Sequence, residues 1–83
     1  MSQTKQVTVR FFALLREQAG CREATLATIA ATPAELYTEL MRTHGLAVSP
    51  RILGYAVNER YVAGDTTLRD GDRVAYIPPV AGG

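Results

Sequence analysis

Hydrophobic and polar residues alternate along Val7-Thr8-Val9-Arg10-Phe11-Phe12, with Val7, Val9 and Phe11 on one side and Thr8, Arg10 and Phe12 on the other. That two-residue period predicts a strand from about Lys5 to Phe12 with one buried face. Ala13 to Gln18 is rich in helix formers and Gly20 follows as a stop, which predicts one or two helical turns. Glu23 to Ile29 alternates more weakly, with Ala24, Leu26 and Thr28 on a common side, as a second strand able to pair with the first. Thr32-Pro33-Ala34-Glu35 is a capping box with proline in the first helical position: the threonine hydroxyl can accept the N3 amide, and the glutamate can reach back to the cap amide. In the helix that starts there, Leu36 with Leu40 and Tyr37 with Met41 form one apolar stripe. Glu39 and Arg42 face water, and Gly45 ends the run. A stripe of this size has to cover a sheet.

Ile52 to Val57 is an apolar run, Asn58-Glu59-Arg60 has turn character, and Tyr61-Val62 resumes strand character, which together predict a short hairpin. Asp65 to Asp72 is rich in turn residues, with Asp70-Gly71 as its strongest punctuation. The last strand is Arg73-Val74-Ala75-Tyr76-Ile77, with Val74 and Tyr76 pointing one way and Arg73, Ala75 and Ile77 the other. Strand, strand, helix, short strands, strand is the order of an α+β roll: a mixed sheet with one main helix packed on one face. The β-grasp fold of ubiquitin is the commonest small solution, and by analogy with it the first and last strands lie parallel at the sheet centre. Residues 1–77 would form this domain and residues 78–83 an extended, flexible C-terminal tail ending in Gly-Gly.

At 83 residues the chain has room for one domain and one modest core, since a chain this short buries only about 60–65% of its unfolded surface. That argues against a self-sufficient enzyme with a deep, walled cavity. The formal charge of +1, with eight arginines and Lys5 scattered along the chain, provides no field to concentrate nucleic acid or anionic lipid. Neither nucleic acid nor membrane is an expected partner. Apolar stretches are too short to span a bilayer and the polar start carries no secretory segment, so a cytoplasmic location is expected. Cys21 is the single cysteine and reads as a loop residue beside Gly20; with no second cysteine or histidine near it, no metal site or activated thiol is expected. His44 stands alone near the end of a helix, where an imidazolium suits the last carbonyls. No paired carboxylates, triad or metal-ligand cluster stands at a recognisable spacing.

The terminus carries the candidate chemistry. Pro78 and Pro79 cannot donate to a sheet ladder, so pairing should stop at about Ile77, and the last six residues should leave the body and reach up to about 20 Å. Gly82 and Gly83 make the tip too slender to be excluded by a narrow channel. A frayed end has no need of a stiff Pro-Pro base, whereas a presented carboxylate does. A carboxylate is a poor electrophile, so a partner would first convert that of Gly83 to an acyl adenylate with ATP; this chain has no GxxxxGK[ST] loop of its own. Phe12 and Ile77 both fall on the side opposite the core residues. If the first and last strands are parallel neighbours, the two meet near the root of the tail as part of a docking patch, with Arg16 as a possible rim. A one-residue slip of register would bury them instead.

Phe11-Phe12-Ala13 with Arg16-Glu17 and Gly20, the central Ala56-Val57-Asn58, Leu68 to Ala75 with its Asp70-Gly71-Asp72, and Pro78-Pro79-Val80-Ala81-Gly82-Gly83 resemble the small subunits of molybdopterin synthase, a family of ubiquitin-like sulfur carriers. The resemblance spans nearly the whole chain. It implies a non-catalytic carrier subunit that binds no cofactor itself. An E1-like adenylating enzyme would use ATP to activate the Gly83 carboxylate, and a persulfide-bearing donor would turn it into a thiocarboxylate. The tail would then enter the large synthase subunit, which supplies the catalytic side chains, and two sulfur transfers to a pyranopterin precursor would form the dithiolene. By position, Gly83 carries the sulfur, Gly82 permits passage through the channel, and Phe12, Arg16, Ile77, Pro78, Pro79, Val80 and Ala81 face partners. Alternative readings are a sulfur carrier for thiazole synthesis, a ubiquitin-like protein modifier, and a non-catalytic adaptor with an inert tail. Length and Pro78-Pro79 favour the molybdopterin reading over the thiazole one.

Overall fold

In the computed structural model, which describes residues 4–79, the first strand β1 spans Lys5–Phe11. Its burial follows the sequence parity, with Val7, Val9 and Phe11 inside. Phe12 is no longer strand: it is the extended residue that caps the short helix α1, Ala13–Ala19. Gly20 ends α1 with φ 77, the left-handed backbone that glycine adopts without penalty, and its N–H donates to the Arg16 carbonyl at 2.9 Å. Strand β2, Glu23–Thr28, runs back antiparallel to β1 with Val7 opposite Leu26, and leaves Ile29 outside the ladder.

Helix α2, Pro33–Thr43, starts as the capping box predicts, Thr32 Oγ1 accepting from Glu35 N at 3.1 Å. The reciprocal bond goes one residue further back, from Ala31 N to Glu35 Oε1 at 3.0 Å. Leu36, Tyr37 and Leu40 are buried and Met41 packs at the edge of the core. Glu39 departs from the expected solvent face. It is half-buried and accepts the Thr28 hydroxyl at 2.7 Å, because the helix lies close enough to the end of β2 for a hydroxyl to satisfy it. The run from Ile52 is also not all strand: Pro50–Ile52 forms a 3-10 turn in which Ser49 Oγ caps Arg51 N, and β3 begins only at Gly54, covering Gly54–Val57. Strand β4 is Arg60–Val62 and β5 is Arg73–Ile77.

The sheet order is β2-β1-β5-β3-β4, with β1 and β5 parallel and the other neighbours antiparallel. With α2 across one face, this is the β-grasp roll. The core joins Val7, Val9 and Phe11 of β1 to Val74 and Tyr76 of β5 and to Leu36, Tyr37 and Leu40 of α2. Two tyrosines at its centre are paired through their hydroxyls, Tyr76 to the Pro33 carbonyl at 2.7 Å and Tyr37 to the Val48 carbonyl at 2.6 Å. Burial raises both phenols above their ordinary pKa of 10.0, Tyr76 strongly, with the Tyr55 phenol as a smaller cause. Folded Tyr76 and Tyr37 therefore hold protons that the unfolded chain gives up, and stability should be flat below the unfolded value and fall as pH rises past about 10. Thermal melts between pH 8 and 11 measure this; a midpoint that does not decline above pH 10 contradicts the burial of these hydroxyls. No helix among the described residues is long and apolar enough to cross a membrane.

The β3–β4 hairpin turns through Asn58 (φ 52) and Glu59 (φ 70), both in the left-handed region, as a two-residue turn matched to strand twist requires. Asn58 is held there: its Oδ1 accepts Arg73 N at 3.0 Å, and its Nδ2 donates to the buried Asp72 carboxylate at 2.9 Å, which also accepts Arg69 N. This clamp ties the hairpin to the start of β5. Glu59 has no such compensation, and its Cβ costs about 1 kcal/mol in this backbone. Glu59→Gly should stabilise the protein by up to about 0.5 kcal/mol, net of the entropy glycine adds to the unfolded chain. A lowered thermal midpoint would show the turn to be unstrained.

Candidate functional site

The route from β1 to α1 decides which side chains reach the surface at the tail end of the sheet. Phe11 is paired with Tyr76 and points into the core. Phe12, one residue on, emerges on the outer face with 40% of its surface exposed, its ring under the Arg10 guanidinium at 5.3 Å. At Ala13 the backbone takes φ 50, a conformation that L side chains avoid at a cost of about 1–2 kcal/mol. After that reversal Leu15 is buried while Leu14 is exposed on the same side as Phe12. Strained non-glycine backbone of this kind is concentrated at functional sites.

On β5 the parity places Ile77 beside Phe12, and both line one groove of about 1040 Å³. Ile52 from the 3-10 turn and Tyr61 from β4 complete its apolar wall, and Pro78 and Pro79 lie at the end where β5 leaves the sheet. Of the five large hydrophobic residues exposed among the described ones, Phe12, Leu14, Ile52 and Tyr61 belong to this groove, and only Ile29 lies elsewhere. Single exposed apolar residues mean little; four converging on one groove mark a surface made to be covered. The loop behind it is fastened by Gln18 Oε1, which accepts Ala47 N at 2.8 Å, and by the Tyr37 hydroxyl on Val48. A shallower trough of about 220 Å³ continues across the outer sheet face over Ala56 and Ala75, which lie opposite each other, and shares Phe12, Tyr61 and Ile77 with the groove.

Apart from Glu17 and Gln18 the groove lining is apolar, so the site has area to bury and no nucleophile of its own. Among the described residues no cluster of three His, Cys, Asp or Glu stands together to hold a metal ion. Cys21 is a free thiol, half-buried against the core.

Of the residues singled out from sequence, Phe12, Ile77, Pro78 and Pro79 are brought together in the groove. Arg16 is exposed on α1 but does not line it. Pro78 departs from the expected exit point: pairing ends at Ile77, yet Pro78 is still buried, so the chain stays with the body one residue longer than the absence of an N–H implies. Val80, Ala81, Gly82 and Gly83 lie outside the described residues. Leu14, Ile52 and Tyr61 were not anticipated. No local signal marked Leu14, since adjacent helix residues can both be buried, as Leu36 and Tyr37 are; a signal existed for Tyr61, which alternates with the inward Val62.

The chain matches the model of the ThiS family over residues 9–83. It is 38% identical to the molybdopterin synthase sulfur carrier subunit of Escherichia coli (strain K12), over 93% of this chain and 99% of that protein. Among solved structures it is similar, at 30% identity and a TM-score of 0.62, to a chain of the protein–protein complex of subunits 1 and 2 of molybdopterin-converting factor from Helicobacter pylori 26695, over 94% of this chain and 99% of that one. Small archaeal modifier protein 1 from Methanosarcina acetivorans, 22% identical with a TM-score of 0.77 over 98% of this chain and 99% of that one, shares the fold.

Proposed function

The chain belongs to the ThiS family, and on that premise we propose that it is the sulfur carrier subunit of a molybdopterin synthase, with the Gly83 carboxylate as its working group. The observation that carries the reading is the position of the tail: β5 delivers Pro78 and Pro79 to the end of an exposed apolar groove, so a partner that covers the groove receives the terminus. The Helicobacter pylori relative is named as a complex of two subunits, which supports a large synthase subunit as the partner that covers it. The name of the Escherichia coli relative favours this role over thiazole synthesis.

In the proposed cycle the Gly83 carboxylate attacks the α-phosphorus of ATP on an E1-like adenylating enzyme, and pyrophosphate leaves. A donor persulfide sulfur then displaces AMP from the acyl carbon, and cleavage of the remaining S–S bond by a thiol leaves the thiocarboxylate. Docked on the large subunit, that sulfur is passed to a pyranopterin precursor, and a second charged carrier supplies the other sulfur of the dithiolene. This chain contributes no nucleotide site and no catalytic side chain; it presents one atom, in the cytoplasm, to successive partners. Phe12, Ile77, Pro78 and Pro79 supply docking area, Arg16 meets a partner from α1 outside the groove, and Val80, Ala81 and Gly82 thread towards the active site. Intact-mass measurement of the protein co-expressed with its adenylating enzyme and sulfur donor tests this directly. The expected result is the mass gain of one sulfur replacing one oxygen, absent when Gly83 is removed; no gain in the full chain would eliminate the carrier reading.

A further inference from the structure

The last pair of β5 joins Ile77 to Gly54, so the strand end is held against β3 up to residue 77 by the antiparallel ladder. Pro78 adds no N–H and the ladder stops, but its ring is buried at the foot of the groove while Pro79 beside it is exposed. The Pro78 ring holds its own φ, and Pro79 behind it restricts its ψ to extended values. Burial and two restricted torsions coincide at residue 78 alone. The ring of Pro79 faces solvent.

We propose that Pro78 is a positioning residue for sulfur transfer: by its burial it sets the direction in which the last five residues leave the body, so that the end of the chain meets the acceptor once the groove is docked. This inference rests on the carrier reading above. Five residues span at most about 17 Å, so a tilt of about 10° at the root displaces the far end by about 3 Å. A misplacement of about 1 Å at a reacting atom can cost as much as 100-fold in rate. The proposal separates the two prolines, which composition alone treats as one stiff unit.

The test uses thiocarboxylated wild-type chain, Pro78→Gly, Pro78→Ala and Pro79→Gly, each assembled with the large subunit and followed through a single turnover at saturating carrier. Pro78→Gly should slow the transfer at saturating carrier about 10-fold or more, whereas Pro79→Gly, which gives up docking area, should act mainly on the dissociation constant and slow the saturated transfer less than Pro78→Gly does. Pro78→Ala, which keeps a Cβ at the buried position and the restriction from Pro79, should recover part of the rate. Equal slowing by the two glycine variants, or for Pro78→Gly a loss confined to affinity or an unchanged rate, overturns the proposal. If Pro78→Gly does not fold, a wild-type rate in folded Pro78→Ala overturns it as well. Wild-type thiocarboxylate that transfers no sulfur would instead bring down the carrier reading itself.

Discussion

Deletion of Gly83 should reduce sulfur transfer to background while thermal stability and binding to the large subunit remain close to wild type. The truncated chain still ends in a carboxylate, that of Gly82, but it is set back by about 3.3–3.6 Å, the length of one residue. Transfer requires reacting atoms about 3–3.5 Å apart in a defined orientation, so a terminus one residue short leaves a gap as wide as the contact itself. The docking area comes from residues such as Phe12, Leu14, Ile52, Tyr61 and Ile77 and the core cluster from residues no later than Tyr76, all of which the truncated chain keeps. The measurements are precursor conversion with the reconstituted synthase, a pull-down or calorimetric titration with the large subunit, and a thermal melt. Normal conversion by the truncated chain would show that the reach supplied by residue 83 is not required.

Phe12→Asp should separate binding from stability in the opposite sense to an ordinary core substitution. Phe12 is 40% exposed and does not belong to the core cluster. It is also the N-cap of α1 and makes no side-chain cap hydrogen bond, whereas aspartate is among the best N-cap residues and stabilises by about 0.5–1 kcal/mol in that position. The folded chain should therefore be unchanged or slightly more stable. Docking should suffer twice, by losing an aromatic anchor at the centre of the groove and by carrying a carboxylate into it. An aromatic hot spot of about 2 kcal/mol corresponds to roughly 30-fold in affinity, and the desolvated charge adds to that. Arg10, already 5.3 Å from the ring, can partly compensate the new carboxylate, so Phe12→Ala serves as the neutral comparison, with a loss of about 30-fold. A collapsed melt in Phe12→Asp would place Phe12 in the core, and unaltered affinity would move the docking surface elsewhere.

Much of the fold was legible because the signals are local. The alternation in Val7 to Phe12, the Thr32–Glu35 box and the Asp70-Gly71 turn each depend on neighbours within four residues, and each appears in the structure within a residue of its expected place. The exceptions share a cause. Glu39 reads as a solvent-facing residue on the helical wheel, and only the approach of β2 to α2 supplies the Thr28 hydroxyl that draws it inward. The apolar run from Ile52 reads as strand, but Ser49-Pro50 starts a 3-10 turn that turns Ile52 out to the groove.

The candidate site divides in the same way. The residue types at the end of the chain, two prolines and then two glycines without side chains, define a slender terminus whatever the rest of the molecule does, and strand parity alone sends Phe12 and Ile77 outward. Whether those two side chains meet is a matter of pairing: the parallel register of β1 and β5, Phe11 against Tyr76, brings together residues more than sixty positions apart. Parity is a property of a single strand and is written in its own alternation. The groove, the addition of Leu14, Ile52 and Tyr61, and the burial of Pro78 arise only when α1, the hairpin and β5 converge, because proximity between distant segments is set by packing of the core and not by any residue's own preference.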